Sequence, residues 1–122
     1  MSFQYTIGSR NGVGIARLQG RLLEKYEAAA LIDEVKEKIA GGILNFVIDL
    51  RKLEYLNSNG LNVLINMLTI SRNAGGDAII CNVSPKLKNL FVITRLDTVF
   101  QMTGNQAAAL QILEKSEKNN GA

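Results

Sequence analysis

Two runs of successive apolar residues, each followed by a helical pattern, constrain the fold most. They are "ILNFVIDL" at residues 43–50 and "DAIICNV" at residues 77–83. A strand that is covered on both faces has this composition, whereas a strand with one face in water alternates polar and apolar residues. Because helical segments follow both runs, the sequence predicts parallel strands joined by crossover helices, which is the α/β class.

The N-terminal third adds a hairpin and a helix. Residues 3–8 and 13–19 read as two strands joined around Asn11-Gly12, a pair that favours a tight hairpin turn. The next segment, "LLEKYEAAALIDEVKEKIAGG", has one apolar stripe at helical spacing and ends at two glycines. The stripe consists of Ala28, Leu31, Ile32, Val35 and Ile39.

The C-terminal half predicts three further helices and a short strand. After a loop over residues 51–59, the spacing of four apolar residues predicts a helix that ends near Gly75-Gly76. Ser84 and Pro85 suit the N-cap and first position of a third helix. "DTVFQM" suits a short edge strand, and "NQAAALQILEKSEK" suits a final helix with a polar, frayed tail from about residue 116. The four apolar residues are Leu61, Leu64, Ile65 and Leu68.

The order of elements is therefore β-β-α-β-α-β-α-β-α. A hairpin followed by alternating strands and helices predicts a mixed, mainly parallel sheet of about five strands with four helices. The length of 122 residues fits one domain over residues 1–122.

Composition excludes several classes of function. The chain has no histidine, which removes Ser-His-Asp triads and nearly all zinc sites. Its net charge of +3 comes from scattered residues without interleaved aromatic side chains, so nucleic-acid binding is not predicted. No secretory signal or apolar run of membrane-spanning length is present, and the single Cys81, expected to be a buried structural thiol, suits a reducing compartment. We expect a cytoplasmic protein without membrane insertion.

No motif for catalysis or for a cofactor emerges. Gly12 and Gly14 resemble the start of a dinucleotide loop, but Arg17 stands where the third glycine belongs. Asp49 is predicted to end a buried strand, where it is expected to bond nearby loop amides. The sequence therefore predicts no enzyme, no cofactor and no metal site.

The stretch "YLNSNGLNVL" carries the strongest functional signal. Asn57, Ser58 or Asn59 must cap the second helix, because its first amide groups have no partner within the helix. Ser58 is then either part of this cap or a modification site. A serine here would follow the carboxyl end of a parallel strand, where α/β sheets place their sites.

Several segments together resemble the STAS family, bacterial anti-sigma factor antagonists of the sporulation and stress-response type. The order and spacing of the segments carry the resemblance, which runs along essentially the whole chain. The segments are "LQGRLL", "FVIDLRKLEYLNSNGLNVL", "AGGDAIICNVSPKLKNLF" and "ITRLDTVFQM" followed by "AAAL".

The resemblance implies a partner-switching regulator of transcription. Its partners would be an anti-sigma factor that is a histidine-kinase-like serine kinase, and a phosphatase. It implies phosphorylation of Ser58, and a monomer or weak dimer suffices for such a switch. The implied contact surface consists of the loop Gly20, Arg21, Leu22 and Leu23, together with Asn57, Asn59, Gly60, Leu61 and Asn62.

Two positions depart from the family pattern. The family usually has an aspartate where this chain has Asn57, and often has one where it has Leu23. Both changes remove negative charge close to Ser58. The alternative is therefore a constitutive STAS interaction module, in a regulatory complex or a lipid-transport complex, that is not phosphorylated. A nucleotide-binding protein or enzyme has the least support.

Overall fold

The computed structural model describes residues 2–120, and the side chains of residues 2–115. Within that part, five strands form a single sheet and four helices pack against it, as predicted. The strands are β1 (Gln4–Arg10), β2 (Val13–Leu22), β3 (Phe46–Leu56), β4 (Ala78–Cys81) and β5 (Gln101–Thr103). The helices are α1 (Ala29–Ala40), α2 (Ser58–Asn73), α3 (Pro85–Ile93) and α4 (Gln106–Asn120).

The sheet is mixed, with the strands side by side in the order β1-β2-β3-β4-β5. β1 is antiparallel to β2, and all later neighbours are parallel. The predicted hairpin is confirmed: Asn11 and Gly12 have φ angles of 52° and 80°, which are the positive values that a type I′ turn needs at both positions.

The third strand differs most from its prediction. β3 begins at Phe46 rather than at residue 43, and it runs on to Leu56 through most of the predicted loop. The parallel pairing of β2 and β3 continues past two register shifts until Leu22 meets Leu56. The predicted loop of residues 51–59 and the predicted loop of residues 20–23 are therefore wrong for most of their length, because these residues pair with each other across the sheet.

Three other elements also differ in extent from their predictions. α1 begins only at Ala29, after a 3₁₀ turn over Lys25–Ala28. The predicted edge strand is a 3₁₀ turn over Leu96–Thr98 followed by the three residues of β5. The backbone of α4 is helical to Asn120; the side chains of the predicted polar tail, and residues 121 and 122, lie outside the described part.

The two faces of the sheet are covered unequally. α1, α2 and α3 bury a large apolar cluster that includes Leu31, Leu64 and Phe91. On the other face, α4 covers a smaller cluster through Ala109, Leu110 and Leu113. Over the described residues, no helix has the length and apolar character needed to span a bilayer.

Candidate functional site

The carboxyl ends of β2, β3 and β4 meet at one edge of the sheet, as they must in a parallel arrangement. The segments that follow these strands lie there: the turn before α1, the first turn of α2 and the first turn of α3. Ser58 is the first residue of α2 and is exposed at this edge. We call this region the Ser58 edge, meaning residues 21–27, 55–62 and 84–86.

The N-cap of α2 is Asn57, and not Ser58. The backbone of Asn57 is extended, with φ −112°, and its side-chain Oδ1 accepts a hydrogen bond from the Gly60 amide at 3.1 Å. Among the side chains that the structure describes, none hydrogen-bonds to the Ser58 hydroxyl. Since another residue caps the helix, the hydroxyl is left accessible to chemistry from solvent.

Two asparagines tie the turn before α1 to the start of α2. The side-chain amides of Asn57 and Asn59 both donate to the Leu23 carbonyl oxygen, at 3.0 and 3.1 Å. We call these three residues the Leu23 clamp. The orientation of the Asn57 amide is fixed by its partners, because its oxygen faces an N–H and its nitrogen faces a carbonyl.

In the same turn, backbone amides bind the carboxylate of Glu27. Glu27 Oε1 accepts from the Leu23 amide at 3.2 Å and from the Glu24 amide at 2.9 Å. Leu23 therefore has both its backbone amide and its carbonyl bonded to side chains. Its own side chain is half-buried, not freely exposed.

Gly60 allows α2 to lie directly against the ends of the strands. A Cβ atom at this position would lie 2.6 Å from the Leu22 carbonyl oxygen and 2.7 Å from Leu56 Cβ. Both distances are far below a normal van der Waals contact. The glycine of "NSNG" is thus required by close packing.

The nine residues predicted to contact a partner and the predicted phosphorylation site Ser58 lie in or directly beside the Ser58 edge, but they differ in exposure. Three are exposed, three are half-buried, and four are buried. The exposed residues are Arg21, Ser58 and Asn62; the half-buried ones are Leu23, Asn57 and Asn59; the buried ones are Gly20, Leu22, Gly60 and Leu61. The buried members can shape the surface only by positioning the others.

A cationic cluster at this edge was not predicted from the sequence. Arg21 Cζ and Lys86 Nζ lie 5.8 and 5.5 Å from the ring centroid of Tyr55, which is 37% exposed. Cation–π contacts of this length hold the two charges beside the ring. Lys86 arrives from the first turn of α3, and only the adjacency of β3 and β4 brings it to Tyr55. Ser84 and Pro85 at the helix start were the local signal of its position.

Asp49 and Cys81 lie deeper, beneath α4. Asp49 Oδ1 accepts from the Arg51 amide, which lies in β3 and not in a loop, and from the side-chain amide Nδ2 of the loop residue Asn82, at 2.9 and 3.1 Å. Asp49 itself lies within β3, and not at the strand's end. Cys81 is fully buried as predicted, and burial, with a smaller contribution from the Asp49 charge, raises the pKa of its thiol to about 12. Such a thiol is unreactive at neutral pH.

Comparison with known proteins gives consistent matches. The family model described as "STAS domain" matches residues 5–109. One relative is BtrV of Bordetella bronchiseptica, which is named as a candidate anti-sigma factor antagonist. It is 28% identical over 104 residues, which are 85% of this chain and 89% of that protein. An anti-sigma F factor antagonist of Paenibacillus polymyxa is 26% identical over 115 residues, covering 93% of this chain and 97% of the relative.

The fold also matches a solved structure. The Bacillus cell fate determinant SpoIIAA, in its phosphorylated form, superposes with a TM-score of 0.69 and is 15% identical. The match covers 89% of this chain and 99% of SpoIIAA. At this identity the likeness shows a shared fold.

Proposed function

The chain belongs to the STAS domain family, and we propose that it is an anti-sigma factor antagonist controlled at Ser58. In this proposal the unmodified protein binds an anti-sigma factor through the Ser58 edge. Phosphorylation of Ser58 ends the interaction, and a phosphatase restores it. The relatives named as anti-sigma factor antagonists support the binding role.

The observation that carries the switch is the exposed Ser58 hydroxyl in the first turn of α2, next to a cap supplied by Asn57. A phosphate at this point would add about −1.5 to −2 charges beside the positive end of the helix dipole. The domain can accommodate this charge, because helix N-termini accept anions readily. A partner packed over the edge would have to desolvate it. A mismatch of about 3 kcal/mol weakens binding by roughly a hundredfold.

We extend the proposal to the partners and the cellular context. The anti-sigma factor would be a serine kinase of the histidine-kinase-like type, which both binds and phosphorylates this chain. We also propose that the chain acts as one domain, in the cytoplasm, as a monomer or weak dimer, and without catalysis of its own.

One observation favours a second candidate, a constitutive STAS module that is never phosphorylated. Neither position that usually carries an aspartate in the family has one here: Asn57 uses its amide to bind Leu23, and Leu23 is apolar. The carboxylate of Glu27 is engaged by backbone amides. If a kinase needs an acid beside the serine, this site lacks it. Such a module could belong to a regulatory complex or a lipid-transport complex.

The test is calorimetric titration with the anti-sigma factors encoded in the same genome. We expect Ser58→Ala to bind one of them like the parent chain, and Ser58→Glu to bind it about a hundredfold more weakly. Asn66→Glu is the matched control, since it adds the same charge at an exposed position of the same helix. Its affinity should equal that of the parent chain.

Incubation of the same pair with ATP tests the switch directly. Intact mass should rise by one phosphate that maps to Ser58 and is absent from Ser58→Ala. Tight binding without any phosphate, together with full binding by Ser58→Glu, would establish the constitutive module instead. Binding to none of the anti-sigma factors would contradict the proposed function.

A further inference from the structure

A second concave region lies on the sheet face that α4 covers. The groove has a volume of about 810 Å³ and is bounded by α4 on one side and by β1, β2 and β3 on the other. Arg17 of β2 and Asp49 of β3 are part of its floor. They lie next to the smaller apolar cluster that α4 covers. We call it the α4 groove.

Basic side chains outnumber acidic ones in its lining. Arg10, Arg17, Arg51 and Lys52 line the groove, against the two acids Asp49 and Glu114. Within residues 2–115, where side chains are described, the ion pair present is Arg72 with Asp77, which lies elsewhere. The four cations of the groove thus have no carboxylate partner there. Low-dielectric walls concentrate the field of such unpaired charges inside a cleft.

Both acids are already engaged by amide groups. Asp49 is 7% exposed and accepts from the Arg51 amide, Asn82 Nδ2 and Gln106 Nε2, the last at 3.1 Å. Glu114 Oε1 accepts from Asn11 Nδ2 at 2.9 Å. Both carboxylates therefore already have hydrogen-bond donors within the protein. The cations, in contrast, are exposed to the groove.

A network of amides joins the two walls. Gln106, at the start of α4, donates to Asp49 of β3, and its Oε1 lies 3.5 Å from Nη2 of Arg17 on β2. The network fixes the separation of α4 from the strands beside the cations. The groove is therefore preformed and does not depend on a partner to open it.

We propose that the α4 groove binds a small polar polyanion of the phosphate-bearing class, independently of the Ser58 edge. Its volume falls within the range of small-molecule sites. Three of its four cations are arginines, whose planar guanidinium groups bind phosphate oxygens in pairs. The described lining contains no aromatic ring on which a base could stack, which favours a polyphosphate or a phosphorylated polar metabolite. The concave shape favours such a ligand over a flat anionic surface.

The test uses inorganic pyrophosphate as the probe and the full chain as the protein. Calorimetry at about 0.15 M ionic strength, where charges more than about 8 Å apart are screened, should give saturable binding of one pyrophosphate per chain. The double variant Arg17→Gln, Arg51→Gln should bind about tenfold more weakly or worse, since each arginine supplies charge-assisted hydrogen bonds. Lys36→Gln is the matched control, because Lys36 is an exposed cation on α1.

Four measurements decide the proposal: circular dichroism, pyrophosphate binding by the variants, amide chemical shifts and vesicle sedimentation. Circular dichroism confirms that the variants are folded. The single variant Arg51→Gln removes only one charge of the double variant, at an exposed position.

Ser58→Glu should leave pyrophosphate binding unchanged. On addition of pyrophosphate, amide chemical shifts should change around Arg17 and Gln106. Absence of saturable binding at millimolar pyrophosphate, or equal loss in Lys36→Gln, would overturn the proposal. Sedimentation with phosphatidylglycerol vesicles without pyrophosphate binding would assign the cations to a membrane surface and overturn it as well.

Discussion

Replacing Asn57 with aspartate tests the Leu23 clamp most sharply. The oxygen of the Asn57 side chain caps α2 through the Gly60 amide, and its nitrogen binds the Leu23 carbonyl at 3.0 Å. Asn57→Asp retains an acceptor for Gly60 but removes the donor for Leu23. It also places a carboxylate oxygen where that donor stood, facing the carbonyl oxygen.

The balance of these effects predicts a modest destabilisation. As caps, asparagine and aspartate are nearly equal, and a negative charge at a helix N-terminus gains about 0.3–1 kcal/mol. The lost hydrogen bond costs about 1 kcal/mol, and the contact between two acceptors adds roughly as much again. The free energy of unfolding should therefore fall by about 1 kcal/mol. Asn57→Ala, which loses both the cap and the clamp, should fall by about 2 kcal/mol.

Urea denaturation followed by circular dichroism measures both changes. The double variant Asn57→Asp, Asn59→Ala should lose more stability than the sum of the single variants, because the Leu23 carbonyl then has no side-chain donor. If Asn57→Asp proved as stable as the parent chain or more so, the hydrogen bond to Leu23 would contribute nothing. The reasoning that explains asparagine at this position would then be refuted.

Three further predictions concern stability and reactivity. Gly60→Ala should lower the free energy of unfolding by about 1–3 kcal/mol and lower the melting temperature, because the added Cβ would clash with Leu22 and Leu56. Gly8→Ala is the control and should melt like the parent chain, since nothing lies within 4 Å of its Cβ; equal melting of the two variants would contradict the packing argument. In urea denaturation, Ser84→Ala should lower the free energy of unfolding by about 1 kcal/mol, because Ser84 Oγ accepts a hydrogen bond from the Leu87 amide and so caps α3. Ser58→Ala should lower it by almost nothing; a larger loss in Ser58→Ala than in Ser84→Ala would show that Ser58 caps α2. Iodoacetamide should label Cys81 slowly at neutral pH in the folded protein and rapidly in urea. The free energy of unfolding should fall as pH rises above 9, because the unfolded thiol ionises there while the folded thiol keeps its proton to about 12. Cys81→Ala should reduce this fall, and an identical pH profile in the variant would refute the assignment to the thiol.

Local signals predicted local structure well. Ser84 and Pro85 were placed at the start of a helix from neighbouring residues alone, and Ser84 does cap Leu87 at 3.2 Å. The Asn11-Gly12 turn was predicted in the same way. In both cases the hydrogen bonds or dihedral angles that decide the structure lie within four residues, so the sequence contains the whole signal.

Features that depend on distant pairing were missed or misplaced. Residues 51–56 look like a loop by composition, and they form a strand only because β2 continues beside them. The choice of Asn57 as the cap, among three neighbouring residues that all cap well, depends on β3 ending at Leu56. The Leu23 clamp joins side chains to a backbone carbonyl 34 and 36 residues away, and no sequence pattern marks such a contact.

The strand order has a consequence for how the chain reaches its fold. Because the order across the sheet equals the order along the sequence, every strand after β1 is hydrogen-bonded to the strand that precedes it in the chain. No strand has to wait for a later one to be inserted between it and its neighbour. Loop-closure entropy is therefore paid in small steps, one crossover at a time. The sheet can grow from the Asn11-Gly12 hairpin toward β5 in sequence order. The residues of the Ser58 edge all precede α4 in the sequence, so this edge is built without any residue of the last helix.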